Sequence, residues 1–328
     1  MKALVTGANG FLGSHLVDEL LDDGKWDIRV LVRPNSDLRW LQGKPLEKVY
    51  GDVTFEADEL NSAVRGADVV FHVAGLTKAL SKKDYWEVNA GGTENLLKAC
   101  LAVGDPSMKF VFVSSAGAQG PAGRHSLCSE RDTPKPVTEY GRSKLAAETI
   151  VQKYKDRIDC RILRPGGIYG PRDMELLPAF RILQSGIMIR LGMRERMISM
   201  AHARDITRAV LAAACSDVDS GEVFLVGGEN ASQSQLLENM ALAVDVKPIL
   251  NIALPSPLVV FAAGLSSLMG AIFKRPRIFS LGTCSRILAF SWALDLSKAQ
   301  TQLNYKPHWD LRAGLAQTAQ WYRSVGLL

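Results

Sequence analysis

MKALVTGANGFLGSHLVDELLDDG, residues 1–24, is the stretch that decides the fold. Lys2 to Thr6 is a short apolar run with a β-branched valine and reads as a buried strand rather than a helix. Gly7, Gly10 and Gly13 follow, and then Leu16, Val17, Leu20 and Leu21 recur at helical spacing. Strand, glycine turn and amphipathic helix make the front half of a βαβ unit that holds a dinucleotide. Gly7 permits the tight turn off the strand. Gly10, lacking a Cβ, lets the backbone approach a pyrophosphate, whose charge suits the free N–H groups of a helix start. Gly13 lets the helix pack closely on the strand, and Asn9, Phe11 and Leu12 join the same expected cofactor site. The spacing, G-x-x-G-x-x-G in TGANGFLG, departs from the plain dinucleotide pattern. A turn serving packing alone is the competing reading, and the flanking strand and helix weigh against it.

The remaining bulk properties set bounds. A chain of 328 residues buries a large core in one or two domains. Its 47% aliphatic and aromatic content with 22% charged residues is ordinary globular composition and argues against disorder. A formal charge of +5, from dispersed basic residues, does not suggest nucleic acid; an anionic cofactor or substrate is sufficient explanation. Cys100, Cys128, Cys160, Cys215 and Cys284 lie far apart, with no metal-binding spacing, and read as free thiols of a reducing compartment. The first residues enter a strand at once, so no signal peptide is read and a cytoplasmic location is expected.

Strand and helix signals then alternate. Ile28 to Val32 is the second strand, with Arg33 at its end and Ser36 close behind. A guanidinium there suits a 2′-phosphate, which favours NADP(H); Asp37 is the acid through which NAD(H) stays open. Lys48 to Gly51 is a third strand, followed by Asp52 and Val53, where Asp52 either meets the adenine or caps the next helix. Val69 to His72 is a fourth, and Val73, Ala74 and Gly75 after it let a cofactor lie against the backbone. His72 itself reads as a packed strand-end residue. A helix over Trp86 to Val103, strands Lys109 to Ser114 and Cys160 to Leu163, and the helix Tyr140 to Tyr154 complete an α/β pattern. These signals predict a doubly wound parallel sheet of Rossmann type, covered by helices on both faces.

After Arg164 and Pro165 the rhythm changes, resuming only at a helix over Ala203 to Ala214 and a strand over Val223 to Val226. Two units are therefore expected: a nucleotide-binding domain of residues 1–165 plus 203–227, and a smaller, mostly helical substrate domain of residues 166–202 plus 228–328. Leu258 to Phe273 is the most apolar stretch, followed by Lys274, Arg275 and Arg277. It is read as a buried or pocket-lining helix, with weak peripheral membrane contact as the alternative.

Tyr140 and Lys144 stand at i and i+4 in YGRSKLAAE and so share a helix face. A free tyrosine, with a pKa of about 10, is a poor base near neutrality. An ammonium one turn away favours the phenolate, so that the tyrosine can exchange a proton with an alcohol or ketone as hydride moves. Lys144 also suits a bond to the nicotinamide ribose. Ser114 and Ser115 end the fifth strand, where a hydroxyl would donate to a developing oxyanion; Ser115 is preferred.

These segments resemble the extended short-chain dehydrogenase/reductases, also called the NAD-dependent epimerase/dehydratase family. The similarity runs through TGANGFLG, GDV, HVAG, VNAGGTENLLKA, SSAGAQG, YGRSK, LRPGGIYGP, AHARDITRAV and the tail LNYKPHWDLRAGLAQTAQWYR. It implies a catalytic triad of Ser115, Tyr140 and Lys144, a structural Asn89, and Pro165, Gly167 and Ile168 along the nicotinamide. It also implies a homodimer through the helices at 86–103 and 140–154. Within the family the chain looks more like the dihydroflavonol reductase and 3β-hydroxysteroid dehydrogenase branch. Members acting on nucleotide-diphosphate sugars usually have an asparagine where Gly166 and Gly167 stand, and an arginine where Ile198 stands, for which nearby Arg194 and Arg196 are the candidate substitutes. The expected activity is a dehydrogenase acting on a lipophilic secondary alcohol or ketone. The alternatives are a nucleotide-diphosphate-sugar epimerase or dehydratase, and a cofactor-binding protein without chemistry.

Overall fold

The computed structural model describes every residue except 57, 124, 125, 274–283, 286 and 290. Six strands come first: β1 (Lys2–Thr6), β2 (Asp27–Val32), β3 (Glu47–Tyr50), β4 (Val69–His72), β5 (Lys109–Val113) and β6 (Asp159–Pro165). Three further strands, β7 (Gly167–Tyr169), β8 (Ile187–Leu191) and β9 (Met197–His202), precede β10 (Glu222–Val226), which returns beside β6. The main sheet has the order β10-β6-β5-β4-β1-β2-β3 and is parallel throughout. The order turns back at β1, between β2 and β4, where ligands of doubly wound sheets sit at the strands' carboxyl ends.

Side chains alternate along each strand and feed two cores. Ala3, Val5, Phe71 and Val111 pack on one face with α1 (Phe11–Asp23). Leu4, Val70, Phe110 and Phe112 pack on the other. That second face is covered by α2 (Asp58–Val64) and by α4 (Gly92–Val103), which follows the short α3 (Lys82–Tyr85) and a π-helical turn at Trp86–Gly91. Past the brief α5 (Ala116–Gln119), α6 (Glu139–Tyr154) joins the same face through Ala147 and Val151. After α7 (Leu177–Gln184), α8 (Ala203–Cys215) lies with α1 on the first face.

The remaining residues hold more strand than the mostly helical unit expected. β9 pairs with β7, with β11 (Glu229–Ser232) and with β13 (Ser291–Trp292), while β8 pairs in parallel with β12 (Leu250–Leu254). These strands are short and their partners distant in sequence, so no local alternation announced them. A third apolar cluster joins Phe180, Met240, Leu315 and Tyr322, from α7, from α9 (Gln233–Ala243) and from the C-terminal helix Leu311–Ser324. α10 (Ser256–Ile272) comes between. Ala299, Leu303 and Tyr305 depart from the expected division at 228–328, because they pack into the first core instead.

The opening turn is the tightest junction. Gly7 has φ +70°, a left-handed conformation that favours glycine, and a Cβ on it would lie 2.7 Å from Ala74 N. A Cβ on Gly13 would lie 2.1 Å from Gly7 O, so α1 touches the turn backbone to backbone. Gly13→Ala sets a helix-propensity gain of about 1 kcal/mol against this overlap. The overlap is expected to prevail: a net loss of roughly 1–3 kcal/mol, read as a lower denaturant midpoint.

Candidate active site

A cavity of about 1630 Å³ opens at the carboxyl ends of the strands, and it draws on both the main sheet and the later strands. All the predicted site residues line it: Gly7, Asn9, Gly10, Phe11, Leu12, Gly13, Arg33, Ser36, Asp52, Val53, Val73, Ala74, Gly75, Ser115, Tyr140, Lys144, Pro165, Gly167 and Ile168. Such a convergence was not available from spacing alone.

The turn end fits a dinucleotide on its own geometry. Gly10 is exposed and is the N-cap of α1, with no side-chain cap and no acidic residue in the first turn. The first N–H groups of the helix are thus left for an anion. The β2 end is held by Asn9 Nδ2 donating to Asp37 O (3.4 Å) and Ser36 N to Arg33 O (3.0 Å). Asp37 is engaged by Arg39, whose Nε donates to Oδ2 at 2.6 Å, and the Arg39 guanidinium holds this carboxyl below its ordinary range. Asp52 accepts from Thr54 N and Oγ1 (both 2.9 Å), closing a turn well before α2 rather than capping it.

His72 is fully buried behind Thr6, which lines the cavity. Ala74 N donates to Thr6 Oγ1, and Thr93 Oγ1 donates to Asn89 O (2.6 Å). With both hydroxyl roles set, His72 Nδ1 accepts from Thr6 Oγ1 (2.7 Å) and Nε2 donates to Thr93 Oγ1 (3.0 Å). Burial pulls this imidazole down to about 3, so it stays neutral. Asn89 closes the chain: its Nδ2 donates to Leu76 O and Ser143 Oγ, and its Oδ1 accepts from Leu76 N.

α6 presents Tyr140, Lys144 and Glu148 at successive turns. Ser115 Oγ accepts from Gly117 N (3.0 Å), which leaves its own proton to donate into the cavity. A Cβ on Gly117 would meet Ser115 Oγ at 3.2 Å and Tyr140 Cε1 at 3.6 Å, so hydroxyl and phenol ring flank the same small residue. Ser114, the other candidate, donates instead to Glu148 in the interior. Lys144 is buried, donates to Val113 O (2.7 Å) and lies 4.4 Å over the Phe112 ring. Burial lowers it to about 7 against the opposing pull of Glu148, so near neutrality it is a poised amine rather than the permanent ammonium that spacing suggested.

The far half of the cavity is apolar. Ile182, Ile187, Ile189, Ile198, Leu237 and Trp321 stand among its walls. Gly166 and Gly167 are there for packing: Cβ atoms would come within 2.9 Å of Ser199 O and 2.4 Å of Met200 Sδ on β9. Arg196 Nη1 donates to Leu191 O (3.1 Å) and Arg194 O (2.9 Å). Sequence reading missed Arg39, Trp40, Arg172, Asp173 and Trp321 as lining residues. Arg172 and Asp173 directly follow the recognised LRPGGIYGP segment and were within reach. Trp40 and Trp321, 5.9 Å apart from opposite ends of the chain, carried no signal.

Comparison with known proteins agrees with this geometry. Residues 3–227 match the family described as NAD dependent epimerase/dehydratase family. The chain is 31% identical over 326 residues to ceramide reductase of Caulobacter vibrioides (strain NA1000 / CB15N), covering 99% of this chain and 95% of that one. It is 28% identical over 345 residues to sterol demethylase protein B of Methylococcus capsulatus (strain ATCC 33009 / NCIMB 11132 / Bath), covering 100% of each. The solved structure of MoeE5 in complex with UDP-glucuronic acid and NAD aligns with a TM-score of 0.76 at 25% identity, covering 99% of this chain and 100% of that one.

Asp173 provides a titration signature. It is buried on the cavity wall, its Oδ1 accepts from Glu175 N (2.6 Å), its Oδ2 has no partner among the described residues, and burial pushes it up to about 7. Between about pH 4 and 7 the folded chain therefore keeps a proton that the unfolded chain has shed, and stability falls as pH rises. Lys144 acts with the opposite sign and above that window, between about 7 and 10.5. Asp173→Asn is expected to match the parent near pH 4 and to exceed it at pH 8 by on the order of 2–4 kcal/mol, read from unfolding curves across pH.

Proposed function

The chain belongs to the NAD dependent epimerase/dehydratase family, an extended short-chain dehydrogenase/reductase enzyme with a pyridine nucleotide cofactor, and from that premise we propose an NADP(H)-dependent oxidoreductase acting on a lipophilic secondary alcohol or ketone. One observation carries the substrate class. At the position where a nucleotide-sugar enzyme would place an arginine for the diphosphate, the cavity has Ile198 among aliphatic and indole walls; Arg196 Nη1 donates to backbone carbonyls, and the lining cations Lys78 and Arg172 are paired with Glu175 and Asp18. The names of the two relatives, a ceramide reductase and a sterol demethylase protein, agree with a lipid. The alternative, a nucleotide-diphosphate-sugar epimerase or dehydratase, draws its support from the likeness to MoeE5 with its UDP-sugar.

The cofactor, when bound, supplies or accepts the hydride. The protein handles the proton. Ser115 donates a hydrogen bond to the substrate oxygen and favours the charge that grows there. Tyr140 gives its phenolic proton to that oxygen in reduction and takes one from the alcohol in oxidation. Lys144, anchored on Val113 O, adds positive charge beside the phenol when protonated and faces Gly75, where it can hold a ribose hydroxyl. For the adenosine end, Arg33 and Ser36 are proposed to hold a 2′-phosphate, supported by the exposure of Arg33 and by the pairing of Asp37 with Arg39. A cytoplasmic homodimer belongs to the same proposal.

NADPH oxidation is expected with long-chain or ring ketones and not with UDP-sugars. Tyr140→Phe should lower kcat/KM roughly 10²–10⁴-fold while nucleotide binding persists. Turnover of UDP-sugars without net nucleotide change, or full activity in the variant, overturns the reading. In nicotinamide fluorescence titrations the parent should prefer NADPH and Arg33→Asp should prefer NADH. A parent that prefers NADH, with the variant unchanged, removes the role of Arg33.

A further inference from the structure

α10 carries no charged residue and is apolar around nearly its whole circumference. Among the described residues of the helix only Val259 and Ala263, one turn apart, are buried, against Leu191, Leu254 and Leu288. Phe261 is 73% exposed, Leu268 58%, Leu258 55% and Leu265 53%, and Val260 and Met269 are exposed as well. On a 3.6-residue repeat these six span about half of the helix circumference. A helix apolar all round is at home in a core or a membrane. This one faces outward, and among the described residues no helix is long and apolar enough to cross a bilayer. A contiguous apolar surface of this kind marks a site of attachment.

We infer that α10 is the surface by which this protein docks on an anionic lipid bilayer, lying in the plane of the interface, and that a lipid substrate enters the cavity beside it. The entry clause rests on the lipid-oxidoreductase reading above; the docking clause does not. Two observations select a bilayer. The helix is continuous with the cavity, because Val259 on its buried face and Leu254 just before it both line that space. An acyl chain or ring leaving the membrane next to α10 would meet apolar wall without crossing water. The second observation is charge. From Ser256 to Phe273 there is no acidic residue to repel phosphate headgroups, and the sequence continues with Lys274, Arg275 and Arg277 in a chain of net charge +5. In-plane helices usually supply their own polar face; here the body of the protein takes that place. A protein partner would look for hydrogen-bonding and charged groups around an apolar centre. This face has few to give, since the Ser267 hydroxyl already donates to Ala263 O.

The test is sedimentation of the full chain with vesicles of phosphatidylcholine alone and of phosphatidylcholine mixed with phosphatidylglycerol. The parent is expected to pellet with the mixed vesicles and to bind roughly tenfold or more weakly to phosphatidylcholine alone or in high salt. The triple variant Phe261→Ser, Leu265→Ser, Leu268→Ser should stay in the supernatant while keeping its turnover of a short, water-soluble ketone. Phe261→Ser alone should show a partial loss. A parent that remains in the supernatant with both vesicle types overturns docking, as does a triple variant that pellets like the parent. A parent dimer that the triple variant converts to monomer in light scattering also overturns it, since a second copy would then cover the face. Pelleting of the parent together with no turnover of any ketone upholds docking and removes the lipid-oxidoreductase reading with its entry clause. Equal turnover of a vesicle-borne ketone by parent and triple variant removes the entry clause alone.

Discussion

A buried ion pair, Arg164 with Glu148, holds the chemical half of the site together. Arg164 Nε donates to both carboxylate oxygens (3.0 and 3.1 Å), its Nη2 reaches Oε2 at 2.5 Å, and its Nη1 bonds Gln119 Oε1. Glu148 also accepts from Ser114. One carboxylate thus ties α6 to the ends of β5 and β6, and Gln119 extends the network to Asp132 O (2.9 Å). Buried pairs add little net stability, because desolvation offsets most of the attraction, while loss of one partner is costly. Their value here is positional. Tyr140 and Lys144 stand two turns and one turn before Glu148, so pinning that residue sets both of them against the strand ends.

A second set of contacts brings the loop after β7 to α1. His15 Nε2 donates to Pro171 O (2.7 Å), and Arg172 binds Ser14 Oγ (3.1 Å) and Asp18 (2.7 Å). Burial brings the His15 imidazole down to about 4, so it remains a neutral donor at working pH. Arg172 accepts a left-handed backbone, φ +73°, to make these contacts, and its guanidinium lies 5.2 Å over the Trp40 ring. The loop therefore couples the glycine turn to the apolar half of the cavity through direct bonds. The two halves differ in physics as well: free N–H groups and guanidinium at one end, aliphatic and indole surface at the other. A charged dinucleotide and a lipophilic substrate would each meet matching surface, with Ser115 and Tyr140 between them.

Much of this was legible in the residues. The parallel sheet, its helices on both faces and the glycine turn all follow from local patterns, because strand alternation, helical spacing and a glycine turn are properties of neighbours in sequence. The Tyr140 and Lys144 pair is of the same kind. Less legible were the strands β7 to β9 and β11 to β13, two to six residues each, whose partners lie up to about a hundred residues away. The return of Ala299, Leu303 and Tyr305 to the first core is also a matter of distant packing.

The sequence by itself determined the fold class, the glycine turn and the chemical types that gather around it, since each depends on spacing within one or two elements. Only the tertiary structure shows how the two serines are engaged: the Ser114 hydroxyl turns inward to Glu148, while Ser115 Oγ accepts from Gly117 N beside the Tyr140 ring. It alone made Lys144 a poised amine, because burial under Phe112 and Val113 is a property of the packed interior and not of a helix repeat. And it alone separated the two faces of α10, whose composition is apolar throughout: which side meets Leu191 and Leu254, and which meets the outside, is settled by what the rest of the chain places there.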